Sequence, residues 1–443
     1  MIDLAPQTLG LLSVLLLLVL VYGGMHVGVA LTATSFLGVW LLRDNMEIAS
    51  RLLGIAASDA ISDYVFGVIP LFVLMGLLVS VARIGEDCFD VANALLGRIR
   101  GGLGVATVGA NAIFAAITGI SIAAAAVFSR IAVPQMLRFG YAPRFAAGVV
   151  AGSSVLGMLI PPSLLFILYG VLTEQSIGSL FVAGILPGIL LALAYCTAIV
   201  AAAAWRPGLI FRDGKVRAAP LPGAMLGAAD MAGRMMPIMV LVLLVLGGIY
   251  GGIFTPTEAG AVGALGALVI AFVRGRLDRR GFWKVLVETG QITASVCLLL
   301  IGASLYSRFL ALAGVPDMVS QAIIGVDLGV PLFLAAFIGI VILLGCIIDS
   351  SSIMLITLPI AFPVSQALGI DPIWFGVITV LAVEIGLLTP PFGLSVFVVK
   401  SALGPNSELT LNDIFIGTAP FALIMLIVLI FICLNPWMAT ALL

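Results

Sequence analysis

A six-residue pattern occurs twice along this chain at a fixed offset, and that repetition limits what the chain can fold into. Gly157-Met158-Leu159-Ile160-Pro161-Pro162 lies in one apolar run and Gly386-Leu387-Leu388-Thr389-Pro390-Pro391 in another, and 386 − 157 = 229. Other landmarks keep the offset of 229 without a gap: Pro134 pairs with Pro363, Gly140 with Gly369, Pro143 with Pro372 and Ser121 with Ser350. The chain therefore reads as two halves of one design, each holding a hydrophobic segment interrupted by a proline pair. The first repeat spans 1–205, a linker 206–230 and the second repeat 231–443.

Of the 443 residues, 62% are hydrophobic and only 9% charged. Soluble domains carry roughly a quarter charged residues, so a water-soluble fold is excluded. The plainest apolar stretches are residues 8–22, 25–42, 65–82, 177–204, 235–253, 257–273, 331–348 and 411–434. Alternating ten-residue segments of a membrane β-barrel are absent, so the expected fold is an all-α polytopic membrane protein in a lipid bilayer. As one helix, residues 8–42 would reach about 52 Å, well beyond roughly 30 Å of hydrocarbon. A break at Gly23-Gly24 makes two helices of them. No lysine or arginine precedes the first apolar run, which is read as a membrane helix rather than a cleaved leader. The five cysteines (Cys88, Cys196, Cys297, Cys346, Cys433) have no paired spacing, which argues for packing rather than disulfides or zinc. A net charge of −1 gives no reason to expect a nucleic-acid partner.

Basic loops set the expected orientation. Arg206–Arg217, with Arg212 and Lys215, and Arg274–Lys284, with Arg276, Arg279 and Arg280, are the richest in positive charge and are assigned to the cytoplasm. Helices near 231–250 and 257–273 separate them, which returns the chain to the same side. The segment 83–101 carries Arg83, Arg98 and Arg100, whereas its counterpart 312–330 carries Asp317 and Asp327 and no basic residue. Opposite bias in equivalent loops implies two inverted repeats, related by an axis in the membrane plane.

Proline lacks an amide hydrogen and clashes with the carbonyl four residues earlier. Pro161 and Pro162 are expected to free the carbonyls of Gly157 and Met158, and Pro390 and Pro391 those of Gly386 and Leu387, with the glycines letting the backbone unwind. Carbonyls without partners in a membrane must face protein, water or an ion. A hard cation such as Na⁺ takes oxygen ligands, and a matched pair of broken helices in two repeats points to a binding site near the midplane, as in secondary transporters. Thr389, beside the second break, is a further candidate for the ion. The broken helices are expected over about 143–171 and 372–400.

Ahead of each break lies a candidate re-entrant hairpin, about 101–130 and about 331–365. Their expected tips are Thr118-Gly119-Ile120-Ser121 and Asp349-Ser350-Ser351-Ser352. Ser121 and Ser350 are candidates for the ion. Thr118, Gly119, Ser351 and Ser352, with Ser153 and Ser154 ahead of the first break, are candidates for a polar substrate. Small residues at such places also serve close helix packing. Asp349 and Glu384 are carboxyl groups in apolar sequence, where burial is expensive and a role is the default expectation. Glu258, in the helix-opening run Pro256-Thr257-Glu258, suits a first-turn capping role instead. His26 is the only histidine and suggests no metal site. Arg130, Arg144 and Arg308 are each able to meet a substrate carboxylate or to snorkel to the interface. A nucleophile–base pair or metal-ligand cluster is missing, so no enzyme and no cofactor is expected.

Together, Thr118–Pro162, the run Tyr169-Gly170-Val171-Leu172-Thr173-Glu174-Gln175, the segment Phe254–Gly263 and Glu384–Pro391 resemble the large membrane (M) subunit of tripartite ATP-independent periplasmic (TRAP) transporters. The resemblance covers essentially the whole chain. It implies an elevator-type fold of the ion-transporter superfamily, in which a unit of hairpins and broken helices moves across a scaffold. It also implies Na⁺-driven symport of an organic acid (dicarboxylate, keto or sugar acid, or sialic acid) across a bacterial inner membrane. The implied partners are a small membrane subunit of about four helices, expected here as a separate polypeptide, and a soluble periplasmic substrate-binding protein. The family's first tip often reads Ser-Gly-Ser-Ser; here Ile120 removes one hydroxyl, so no role is carried to that position. The alternative is a stand-alone Na⁺- or H⁺-coupled organic-anion carrier that needs no binding protein.

Overall fold

A computed structural model describes residues 5–62, 64–214, 227–324, 329–405, 407 and 409–443. Lys215, Arg217 and Asp327, used above for orientation, lie outside the described residues. The described chain is helical: α1 (Pro6–Tyr22), α2 (Val27–Arg43), α3 (Met46–Ser62), α4 (Val68–Val81), α5 (Ile84–Leu96), α6 (Gly102–Thr118), α7 (Ser121–Arg138), α8 (Pro143–Ser154), α9 (Leu156–Leu159), α10 (Leu164–Thr173), α11 (Ile177–Trp205) and α12 (Pro207–Ile210). After the linker come α13 (Ala228–Val242), α14 (Gly248–Tyr250), α15 (Pro256–Val273), α16 (Arg279–Leu312), α17 (Val315–Ile324), α18 (Gly329–Gly345), α19 (Ser350–Ala367), α20 (Pro372–Leu388), α21 (Leu394–Leu403), α22 (Leu411–Leu434) and α23 (Trp437–Thr440). Eight helical segments among the described residues are long and apolar enough to cross a membrane, and α1, α2, α6 and α18 are shorter apolar helices.

The repeat is visible in the element boundaries. Adding 229 to Ser121–Arg138 gives 350–367, the span of α19, and adding 229 to Val27–Arg43 gives 256–272, one residue short of α15. Likewise α10 maps to 393–402 against Leu394–Leu403, and α6 to 331–347 against Gly329–Gly345. One difference stands out. The first half breaks α3 from α4 with a tight turn at Tyr64–Gly67, whereas the second half runs through the same region as the single α16. That helix has 34 residues, so it reaches about 51 Å and must extend beyond the hydrocarbon.

Crossing parity gives the orientation of the halves. The first half crosses with α1, α2, the α3–α4 pair, the α8–α10 segment and α11. α5 carries Glu86, Asp87 and Asp90 and is too short and charged to add a crossing. The two arms α6 and α7 add either no crossing or two, so the total is odd in both cases. Equivalent elements of the second half therefore run in the opposite sense, which is an inverted repeat.

Packing between the halves is exchanged: α2 lies along α16 and its counterpart α15 lies along α4. Likewise α8 packs on α22 while α11 packs on α20. The hairpins and broken helices form the buried centre: every residue of α20 from Ile373 to Leu388 is buried. Outer helices α1, α13 and α15 present Leu15, Met236 and Phe272 outward, as lipid requires. The start of the linker is tied down, with Ala142 N–H donating to Ile210 O at 2.8 Å and Arg212 N–H to Gly140 O at 2.9 Å.

Candidate functional site

Each hairpin tip meets the helix break that follows it; the first break is largely buried, whereas Pro390, Pro391 and Phe392 of the second are exposed. At tip 1, α6 stops at Thr118, Gly119 takes a left-handed conformation (φ +62°) and α7 starts at Ser121. A side chain at Gly119 would place its Cβ 2.4 Å from the Pro162 carbonyl oxygen, so only glycine permits this approach. Leu164 N–H, just past the first proline pair, donates to Gly119 O at 3.2 Å. At tip 2, α18 ends at Gly345 and Asp349 caps α19 by accepting from Ser352 N–H at 3.1 Å and Ser352 Oγ at 2.5 Å. Phe392 N–H, just past the second proline pair, donates to Cys346 O at 3.1 Å. Each tip is thus held by an amide of the adjacent break.

The breaks fall later than the glycines. Gly157 lies in the helical turn α9 and Gly386 inside α20; the chain leaves helical geometry at Ile160–Ser163 and at Thr389–Gly393. This corrects the expectation that the glycines unwind. The residue before a proline avoids the α region, so the interruption gathers at the proline pairs. The glycines serve close approach instead: a Cβ at Gly157 would lie 3.1 Å from Ser121 N, and one at Gly386 2.6 Å from Gly345 Cα. Two of the carbonyls expected to be free have partners. Ser163 Oγ donates to Met158 O, and Thr389 N–H donates to Gly386 O at 3.0 Å. The Thr389 hydroxyl is turned back to Ile385 O at 2.7 Å. Leu387, one residue on, is fully buried.

Glu384 is the focus of the interior. It is fully buried in α20, and Ser350 Oγ of tip 2 donates to its Oε1 at 3.3 Å. Ser121 of tip 1 faces the same carboxyl group but stops short of hydrogen-bond geometry, so Ser121 Oγ and Glu384 Oε2 are both buried without a partner. The Tyr195 hydroxyl of α11, also fully buried and without a partner, lies within electrostatic range of Glu384. Two serines related by the repeat therefore converge on one carboxyl group that the other repeat lacks, since 384 − 229 = 155 is Val155. The donor set is oxygen only, which suits a hard monovalent cation rather than a soft metal. Among the described residues no cluster of three or more His, Cys, Asp or Glu offers a transition-metal site.

The candidate substrate residues divide. Asp349, Ser351 and Ser352 line one cavity with His26, Gln291 and Ser295. Thr118, Ser153 and Ser154 are buried with their hydroxyls on their own helices, at Phe114 O (2.9 Å), Val149 O (2.6 Å) and Ala151 O (2.8 Å). Ser153 also accepts from Asn111 Nδ2 at 2.7 Å, which leaves Asn111 Oδ1 buried without a partner. The arginines are spread out: Arg308 pairs with Asp59 at 2.5 Å, Arg144 with Asp413 at 2.8 Å, and Arg130 is exposed. Glu258 does cap α15, in a reciprocal pair with Thr255. Tyr195 and Ser163 were not singled out from sequence. Ser163 directly follows the proline pair and was readable there; Tyr195 sits in a 29-residue apolar helix with nothing to mark it.

Comparison with known proteins agrees with this architecture. The family model described as "Tripartite ATP-independent periplasmic transporter, DctM component" matches residues 14–438. The chain is 35% identical over 393 residues to the C4-dicarboxylate TRAP transporter large permease protein DctM of Pseudomonas aeruginosa, covering 88% of this chain and 89% of that one. It is 32% identical over 424 residues to the sialic acid TRAP transporter large permease protein SiaM of Vibrio cholerae, covering 94% of each. Among solved structures, the YdaH transporter of Alcanivorax borkumensis shares the fold with a TM-score of 0.59 at 16% identity, over 99% of both chains. The chain belongs to the DctM family of tripartite ATP-independent periplasmic transporters, as its large membrane subunit.

Proposed function

We propose, from that membership and from the site, that this chain is the translocating subunit of a Na⁺-driven importer of organic acids in a bacterial inner membrane. A small membrane subunit and a soluble periplasmic binding protein that delivers the substrate complete the system. The observation that carries the proposal is the convergence of Ser121 and Ser350 on Glu384, with Oε2, Ser121 Oγ and Tyr195 Oη buried and unpartnered. Buried polar atoms without partners are costly, and an oxygen-coordinated cation bound there would supply one. The relatives named for C4-dicarboxylates and sialic acid support an organic acid as the cargo.

Coupling follows from where these groups sit. Both tips are hydrogen-bonded to the breaks, so a Na⁺ ion that orders Glu384 and the two serines also orders tip 2, where Asp349, Ser351 and Ser352 face a cavity. Ions favour the substrate-competent arrangement only as far as they bind it better, and by linkage the substrate then tightens ion binding by the same factor. In the elevator reading, α6–α10 and α18–α21 form the moving unit against a scaffold of α1–α5 and α13–α17. Two cavities at that junction, each lined by polar and apolar side chains, support it, one between α16 and tip 2, the other between α3, α10, α16 and α19. With Arg279, Arg280 and Lys284 cytoplasmic, the start of α16 and the α1–α2 turn face the cytoplasm, and the tip 2 cavity opens to that side.

The test is uptake of labelled organic acids into proteoliposomes under an imposed Na⁺ gradient, with and without the small subunit and the cognate binding protein. Uptake that needs both partners and Na⁺ is expected. Equal uptake by this chain alone would instead identify a stand-alone carrier.

A further inference from the structure

The cavity at tip 2, about 460 Å³, has walls from two bodies. One wall is the first turn of α19, with Asp349, Ser351 and Ser352. The other is the face of α16 that carries Gln291 and Ser295, with His26 at the start of α2. Gln291 and Ser295 are four residues apart and share one helix face. Among the described residues neither they nor Ser351 has a side-chain hydrogen-bond partner. His26 accepts from Gly28 N–H through Nδ1 at 3.2 Å, which leaves Nε2 as the hydrogen-bond donor of the ring.

The charge on these walls is one-sided. Asp349 is the only carboxylate in the lining, and the lining contains no lysine or arginine. The basic residues of the same helix, Arg279, Arg280 and Lys284 before Gln291 and Arg308 after Ser295, lie outside this lining, and Arg308 is paired with Asp59. Asp349 spends both oxygens on Ser352, which leaves its negative charge in place. One substrate carboxylate would be met by the Ser350 and Ser351 amides of α19, while those of Ser352 and Ile353 are already spent on Asp349. A second carboxylate would find only neutral groups, with Asp349 adding repulsion. Neutral amide and hydroxyl side chains instead match hydroxyl or amide groups. A site built on them rejects analogues lacking those groups, because its own polar atoms are then left unpaired.

We infer that the cavity takes a monocarboxylic acid bearing hydroxyl or amide groups, whose polar tail is read by Gln291 and Ser295 on the scaffold wall, and that it disfavours C4-dicarboxylates. The inference rests on the importer reading above and names the substrate class of that same site. It makes Gln291 and Ser295 specificity residues that lie outside the hairpins and breaks.

The experiment is thermal stabilisation of the purified membrane complex in NaCl, titrated separately with gluconate, N-acetylneuraminate, succinate and butyrate. Uptake of the same acids under a Na⁺ gradient is measured in parallel with the cognate binding protein. Gluconate or N-acetylneuraminate is expected to half-saturate at least 10-fold below succinate and butyrate. Gln291→Leu with Ser295→Ala is expected to shrink that preference below 3-fold while Na⁺-induced stabilisation stays at the wild-type value. Gln291→Met alone, close in shape and on the exposed face of the helix, covers the event that the double variant misfolds. Succinate half-saturating at the lowest concentration, or an unchanged preference in a folded variant, would overturn the substrate class and leave the importer standing. Na⁺-dependent uptake of none of the acids would overturn the importer reading together with it.

Discussion

Gly386→Ala is the sharpest probe of how hairpin 2 is joined to its broken helix. A methyl group at this position would sit 2.6 Å from Gly345 Cα and 3.0 Å from Ile342 O, both backbone atoms of α18. Non-bonded carbons rest about 3.5–4.0 Å apart, so α18 must retreat by about 1 Å. No flexible side chain can absorb the displacement. Overpacking of this kind costs about 1–3 kcal/mol. If the docked hairpin is part of the Na⁺-loaded state, that cost appears as a rise of about 5- to 150-fold in the Na⁺ concentration for half-maximal uptake. Gly339→Ala is the internal control on the same helix, because its methyl group would enter open space. Removing a helical glycine there is expected to leave Na⁺ dependence alone and to raise stability by about 0.5–1 kcal/mol. The assay is Na⁺-titrated uptake in proteoliposomes beside thermal unfolding of the purified protein. Wild-type Na⁺ dependence and unfolding temperature in Gly386→Ala would refute the claim that the glycine pair fixes tip 2 against α20.

Other perturbations separate charge from packing. Glu384→Ala strips Ser350 of its acceptor in the interior and is expected to cost about 1–3 kcal/mol. Glu384→Gln keeps an oxygen for Ser350, so it should unfold near the wild-type temperature yet lose Na⁺-driven uptake at least 10-fold (about 1.4 kcal/mol or more); full uptake in the Gln variant would remove the carboxylate from the ion site. Tyr195→Phe deletes a buried hydroxyl that has no protein partner, so stability should be unchanged or slightly higher while the Na⁺ half-saturation rises; an unchanged half-saturation would mean that Tyr195 is packing only. Asp349→Ala removes the cap of α19 and is expected to cost about 0.5–2 kcal/mol. Asp349→Asn keeps the cap and the unfolding temperature, so any loss of uptake it shows reports the charge at the cavity.

Much of the architecture was written along the chain. Hydropathy placed α4, α11, α15 and α22, and the offset of 229 predicted that α7 and α19 would match, as they do residue for residue in length. Proline pairs marked where α8–α10 and α20–α21 lose helical geometry, because the missing amide and the ring's clash are local properties of the residue. The two tips were readable for the same reason: glycine and small polar residues interrupt helices wherever they cluster in apolar sequence.

Position in three dimensions was not readable in that way. That Ser121 and Ser350 reach one carboxyl group, that Tyr195 of α11 comes within electrostatic range of it, and that Thr118, Ser153 and Ser154 turn their hydroxyls onto their own helices are consequences of long-range packing. So is the cavity, since His26 comes from the start of α2 and Gln291 and Ser295 from α16, whose apolar surroundings in sequence give no sign that they face Asp349. Hydropathy, proline and repeat spacing act over a few residues and so determine which segments span, break or turn. Which side chains end up sharing a carboxylate or a cavity depends on helix rotation and close approach, as at Gly345 and Gly386, and only the packed tertiary structure decides that.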